Sequence, residues 1–167
     1  MSEAVPVSAI DVPPAEENAA WQGVARVVIA RLGDERLAFD LASVMEVLDA
    51  PVVTALPLTP RGLSGQIPYR GGYLPVLDPA VVLGVPRVGG AGAALVLSSA
   101  PVALWVDDAE DVWNVADTML QAVPSGSDPL GILRGLLMRD GHVVSHVDAG
   151  ALAASALATL RQGSEHS

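Results

Sequence analysis

Apolar residues along this chain fall into short runs, broken by glycine, proline and acidic residues, and the runs predict elements one after another. Val24 to Leu32, VARVVIARL, is rich in β-branched residues and reads as a strand. Gly33-Asp34-Glu35 turns the chain, and Arg36-Leu37-Ala38-Phe39 alternates as the return strand. The next run, LASVMEVL (41–48), predicts a short helix, with Asp40 as N-cap and Pro51 just past its end. At about 100° per residue, Leu41, Val44, Met45 and Leu48 share one face, so Glu46 is expected on the exposed side with Ala42 and Ser43.

The second half repeats the plan. ALVL (94–97), a turn through Ser98-Ser99-Ala100-Pro101 and VALWV (102–106) predict another hairpin. LRGLLMRDGHVVSHV predicts a third, with Asp140-Gly141 as a type I′ turn signal. Residues 149–161, with Leu152, Ala156 and Leu160 aligned, read as an Ala-rich C-terminal helix, and 162–167 as a frayed tail. Residues 1–20 mix proline, alanine and acids without periodicity, which predicts a disordered acidic leader before a folded region spanning 21–161.

The halves also resemble each other. Arg70-Gly71-Gly72-Tyr73 precedes a strand ending at Asp78; Arg139-Asp140-Gly141-His142 precedes one ending at Asp148, 70 positions later. The first hairpin runs into Asp40 and the second into Asp107, 67 positions later. Two related all-β units follow, roughly 24–88 and 93–149, joined near Gly89-Gly90-Ala91-Gly92. Short strands with regular turns favour small barrels.

Composition narrows the function classes. The chain is 51% hydrophobic and 17% charged, so it can bury a core. No run approaches the ~18 apolar residues of a membrane span, and the start lacks the pattern of a signal peptide. With no cysteine, disulfides and thiolate metal sites are excluded, which fits a reducing, cytoplasmic setting. Of the net charge of −10, residues 1–20 carry −4 through Glu3, Asp11, Glu16 and Glu17. No clustered basic surface is visible, which argues against nucleic acid as a partner.

Candidate chemistry is sparse. His142 adjoins a turn, His146 lies within a strand and His166 is in the tail, and each reads as structural. No nucleophile elbow, phosphate-binding loop or zinc-protease motif occurs. The densest acids, Asp107, Asp108, Glu110 and Asp111 in VDDAEDVW, lack the spacing of a calcium loop and read as a solvated turn. A small acid-dependent enzyme using those four carboxylates is the reading from a different class. Glu46 and Arg70 stand out as two charges placed beside a short element and a Gly/Pro turn. They are either two solvated charges or a pair that orients a protein-binding surface.

The order of elements resembles the CheW-like domain family of bacterial chemotaxis. VVIARLGDERLAFDLASVMEVLDAPVVTALPLTP is similar to that family's opening, with Val44-Met45-Glu46-Val47 matching its V-x-E-[VI] motif and Leu56-Pro57 its proline. RGLSGQIPYRGGYLPVLDPAVVLGV matches its next segment through Gly65, Arg70, Gly71, Pro75, Val76 and Asp78. Val106, Asp107 and Val112 match a following strand, and GLLMRDGHVVSHVDAGAL the closing hairpin. Pro68, Tyr69, Pro79, Leu104 and Ser145-His146 depart from the family pattern. The resemblance implies a mainly β fold of two SH3-like five-stranded β-barrels packed side by side, with short helices. It implies no catalysis and no cofactor or metal. The implied role is a cytoplasmic adaptor, or scaffold, coupling the tips of methyl-accepting chemoreceptors to the regulatory domain of a CheA-type histidine kinase. That role places it in the two-component signal transduction of membrane-associated arrays, without insertion into the membrane. Other CheW-like domains are implied ring partners. Carried over by position, Val44, Glu46, Arg70 and Gly71 are the receptor-binding residues. A divergent module that caps or competes within arrays, or serves non-flagellar motility, is the alternative.

Overall fold

The computed structural model describes residues 3–6, 25–57, 61–86, 92–115, 120–139 and 141–165; of 3–6, 25 and 162–165 only the backbone is described. The strands are β1 (Glu3–Pro6), β2 (Ala25–Leu32), β3 (Glu35–Asp40), β4 (Val44–Asp49), β5 (Leu63–Tyr69) and β6 (Gly72–Leu77), then β7 (Ala93–Leu97), β8 (Ala103–Val106), β9 (Asp108–Val115), β10 (Leu120–Gln121), β11 (Leu133–Arg139) and β12 (His142–Val147). Two α-helices, α1 (Pro79–Leu83) and α2 (Ala149–Glu165), follow the second and last hairpins.

The strands make two sheets, ordered β1-β4-β7-β8-β6-β5 and β10-β11-β12-β3-β2-β9. Without β1 and the two-residue β10, each is a five-stranded frame, and the protein is mainly β with two small SH3-like barrels packed together. The barrels do not divide the chain near residue 90, as the sequence reading expected. The first takes β4 to β8, and the second takes β2 and β3 together with β9 to β12. Parallel pairing decides this: β3 lies beside β12 through Ala38 and His146, and β8 beside β6 through Ala103 and Val76. The expected repeat is therefore real but out of phase by one hairpin, and Asp40 and Asp107 mark where the chain crosses between barrels. Its likeness extends to detail. Bulges fall at Leu63/Gly65 and at Leu133/Gly135, and Asp78 and Asp148 each accept a helix N-terminal N–H, from Ala80 and Ala151, at 3.0 Å.

Three apolar clusters hold these sheets. Leu48, Ile67, Leu74, Val76, Ala94 and Val96 fill the first barrel, and Val27, Ile29, Ala38, Leu137 and Val144 the second. A larger cluster, including Val28, Phe39, Val47, Leu95, Leu104 and Leu152, draws on both. Neighbouring residues of β2 and β7 thus point into different cores, which is why VVIA and ALVL are continuous apolar runs rather than alternating ones. Leu104, fully buried, adds to the shared cluster.

Four expectations are corrected. Residues 41–48 are no helix: a 3-10 turn, Leu41–Ser43, leads into β4. A bulge between Val44 and Glu46 makes Met45 an extra residue, so the inward Val44 and Val47 are spaced three apart and mimic a helical face. VDDAEDVW is not a turn, because its residues from Asp108 form most of β9. α2 runs on to Glu165, beyond the expected start of fraying at 162. Within the expected leader, Glu3–Pro6 form β1 against β4; residues 7–24 lie outside the described residues. Most of the expected joint at 89–92, and Asp140 of the type I′ signal, also lie outside them.

Candidate functional site

Tyr69 and Gly72 are register partners, so Arg70 and Gly71 alone connect β5 to β6. Both have positive φ, 47° and 81°, the signature of a type I′ hairpin turn. Glycine adopts this without penalty; Arg70 does so at a steric cost that the Gly71 turn and its own contacts offset. The turn projects Arg70 toward β4, where the bulge at Met45 aims Glu46 back at it.

One carboxylate oxygen organises the cluster. Glu46 Oε1 accepts the Tyr69 hydroxyl proton at 2.9 Å and also accepts from Arg70 Nη2. The Tyr69 hydroxyl lies 3.7 Å from Met45 Sδ, and the Arg70 guanidinium carbon sits 5.1 Å from the centroid of the Tyr69 ring. The ring itself packs against the first barrel's core, so Tyr69 ties the site to the interior. Exposure is asymmetric: the Glu46 side chain is 13% exposed and that of Arg70 63%. Burial pushes the Tyr69 hydroxyl up, and its hydrogen bond to Glu46 and that carboxylate's charge add to the shift. Arg70 is raised first by its hydrogen bond to Glu46. At neutral pH the guanidinium is therefore charged and the phenol is not.

An open groove of about 630 Å³ runs beside this cluster, lined by Val52, Pro68, Tyr69, Arg70, Gly71 and Tyr73 among others. Tyr73 is 70% exposed, Val52 62% and Met45 43%. A fixed cation framed by exposed apolar side chains suits protein recognition: apolar surface supplies affinity, and the guanidinium supplies orientation.

Of the four residues expected at the site, Glu46, Arg70 and Gly71 come together. Val44 does not, being 4% exposed and packed in the shared core. Met45, Tyr69 and Tyr73 were missed. A helical reading places Met45 on one face with Leu41, Val44 and Leu48, whereas strand geometry with a bulge turns it outward. Tyr69 was visible only as a departure from the family pattern, although its place next to Arg70 made it the nearest partner for Glu46.

The other charged groups serve the frame. Asp107 Oδ2 accepts the Gly33 N–H at 2.6 Å and lies 3.8 Å from Arg31. Glu110 is paired with Arg36 at 2.9 Å and Arg31 at 3.5 Å. Asp111 accepts from the Val112 N–H and the Trp113 indole. The Asp107 and Glu110 contacts tie the start of β9 to β2, its turn and β3, and among the described residues no group of three or more His, Asp or Glu is placed to hold a metal ion. His146, 7% exposed, meets Asp40 at 2.7 Å through Nε2, and Arg134 joins Asp40 at 2.7 Å.

A family model described as the CheW-like domain matches residues 26–157. This chain belongs to the CheW-like domain family. It is 30% identical over 137 residues to a probable chemotaxis protein CheW of Rhizobium etli, covering 78% of this chain and 88% of that one. It is 26% identical over 132 residues to the chemotaxis protein CheW of Rhizobium meliloti, covering 75% and 85%. A shorter stretch of 48 residues, 29% of this chain and 30% of the other, is 48% identical to protein FrzA of Myxococcus xanthus. The fold superposes on the crystal structure of the scaffolding protein CheW of Thermoanaerobacter tengcongensis with a TM-score of 0.69 at 21% identity, covering 77% and 92%. The matched CheW-like segment contains β2 from Arg26 onward, β3 to β12 and the whole Glu46–Tyr69–Arg70 cluster; β1 lies outside it.

Proposed function

We propose that this CheW-like domain is a non-enzymatic adaptor of a chemosensory array, joining a chemoreceptor tip to the regulatory domain of a CheA-type histidine kinase. The observation that carries the reading is the Glu46–Tyr69–Arg70 cluster. It is a preformed charged anchor on a rigid two-residue turn, beside an exposed apolar groove and tied to the barrel core. Pre-organisation matters because a side chain already held in its bound geometry loses little freedom on association. In this reading the receptor tip takes the Arg70 groove and the kinase takes another barrel surface. Many such modest contacts, repeated in an array, give a strong assembly. The acids at the start of β9 support it indirectly, since the engagement of Asp107 and Glu110 with Arg31, Arg36 and the Gly33 N–H suits a strut better than an active centre.

The first test is calorimetric titration against the regulatory domain of the histidine kinase from the same genome. Saturable micromolar binding is expected. Absence of binding at high concentration would overturn the kinase half of the proposal and favour a divergent module. For the receptor half, Arg70→Glu is expected to abolish co-sedimentation with receptor-containing membranes while Arg70→Lys retains part of it. Equal binding by all three proteins would place the receptor contact elsewhere.

A further inference from the structure

Both barrels follow one plan, and β1 is the exception to it. β4 corresponds to β9: each lies outside the first strand of a hairpin, β7 or β2, and each pairing carries a bulge, at Val44/Glu46 and at Ile29/Ala30. Thr54, bridged to Gln66 beside β5, corresponds to Gln121 of β10, opposite Leu136 of β11. β1 has no such counterpart. It runs antiparallel along the outer edge of β4, with Glu3 opposite Asp49, Ala4 opposite Leu48, Val5 opposite Val47 and Pro6 opposite Glu46. The matching edge of β9 ends its sheet with no strand beyond it among the described residues.

The two edges differ in chemistry. β9 carries Asp108, Glu110 and Asp111 within one strand, and charge on an edge strand resists addition of a further strand. β4, VMEVLD, carries two acids, Glu46, paired with Arg70, and Asp49, and its exposed Met45 adds apolar surface at that edge. An edge with unpaired N–H and C=O groups is a template for strand addition. Proline at Pro6 is compatible with an outermost strand.

We infer that the outer edge of β4 is a strand-accepting surface, filled in cis by residues 3–6, whose partner is an extended, charge-poor peptide segment that displaces them. Only 18 residues separate β1 from β2, so β1 meets the β4 edge within one chain, ahead of a competitor from solution. Four pairs then suffice to keep the edge filled, and a competitor binds only to the open fraction. Nine-tenths occupancy weakens its apparent affinity about tenfold. Pro6 stands opposite Glu46, so the exchange takes place beside the Arg70 groove, while using backbone pairing rather than side-chain contacts.

The chain has no cysteine, so an introduced pair reports alone. Register partners in an antiparallel pair have Cα atoms about 4.5–5.5 Å apart, inside the disulfide range of about 4.4–6.8 Å. Glu3→Cys with Asp49→Cys is expected to oxidise to an intrachain link, and Glu3→Cys with Val143→Cys, on the other sheet, is not. A labelled peptide of residues 1–8 is then titrated by fluorescence anisotropy into the locked chain and into a full-length Val5→Pro chain, with melting curves confirming that both are folded. Binding at least tenfold tighter to the Val5→Pro chain is expected. Equal binding to both overturns the inference, as does a link that forms with both cysteine pairs, with neither, or between chains.

Discussion

Gly65 and Gly71 lie on the same hairpin and both have positive φ, 142° and 81°, yet they differ in what surrounds them. An added Cβ at Gly71 would meet nothing within 4 Å, so Gly71→Ala carries only the backbone penalty of a left-handed L-residue, about 1–2 kcal/mol. At Gly65 the same atom would stand 2.3 Å from the Thr54 carbonyl oxygen, which is backbone and cannot swing aside. Thr54 and Gln66 exchange two backbone hydrogen bonds, at 2.8 and 3.0 Å, and relieving the clash breaks that bridge. Two bonds at about 1 kcal/mol each, added to backbone strain of about 1–3 kcal/mol, give about 3–5 kcal/mol for Gly65→Ala. Urea unfolding followed by tryptophan fluorescence measures both variants. Gly71→Ala is expected to stay folded with a melting point a few degrees lower, at roughly 2–4 °C per kcal/mol. Gly65→Ala is expected to lose most of its cooperative transition. Equal, mild costs for the two would refute the close approach at Thr54 and with it the register that aims Arg70 at Glu46.

Arg70→Glu is expected to leave the melting temperature nearly unchanged, because its side chain is 63% exposed, while receptor binding is lost; parallel loss of both would make Arg70 structural. Asp148 is held below the usual carboxylate range, first by the Ala151 N–H and then by Arg134, so its contribution is present above about pH 3.9 and is lost as pH falls through the lower folded value. Asp148→Ala should therefore cost about 1 kcal/mol at pH 7, a gap in urea midpoints that closes in acid. His146 leaves Nδ1 buried without a partner, so His146→Val is expected to be close to neutral, since Asp40 keeps Arg134. Asp40→Ala should cost about 1–3 kcal/mol by orphaning the buried imidazole N–H. Reversed order in thermal melts would refute the assignment of that proton to Nε2.

Short-range patterns carried a large part of this protein. Turn glycines, β-branched runs and alternation located both strands of the hairpins around Gly33, Ser98–Pro101 and Gly141, and the recurrence of Arg70 and Asp78 at Arg139 and Asp148 disclosed the duplication. The strands and turns are legible because each depends on residues within a few positions of one another, and the duplication because each copy keeps the same local spacing. The Glu46–Arg70 pairing was legible only as one of two readings, a pair or two solvated charges, since 24 positions separate the two residues. Tertiary structure alone decided the rest. The parallel pairing of β3 with β12 joins Ala38 to His146 across more than half the chain, and it moved the first hairpin into the second barrel. The bulge on β4 converted an apparent helix into the strand that presents Glu46 and Met45. Both depend on which edge is free and which face two sheets can bury together, and no local pattern along the chain encodes that.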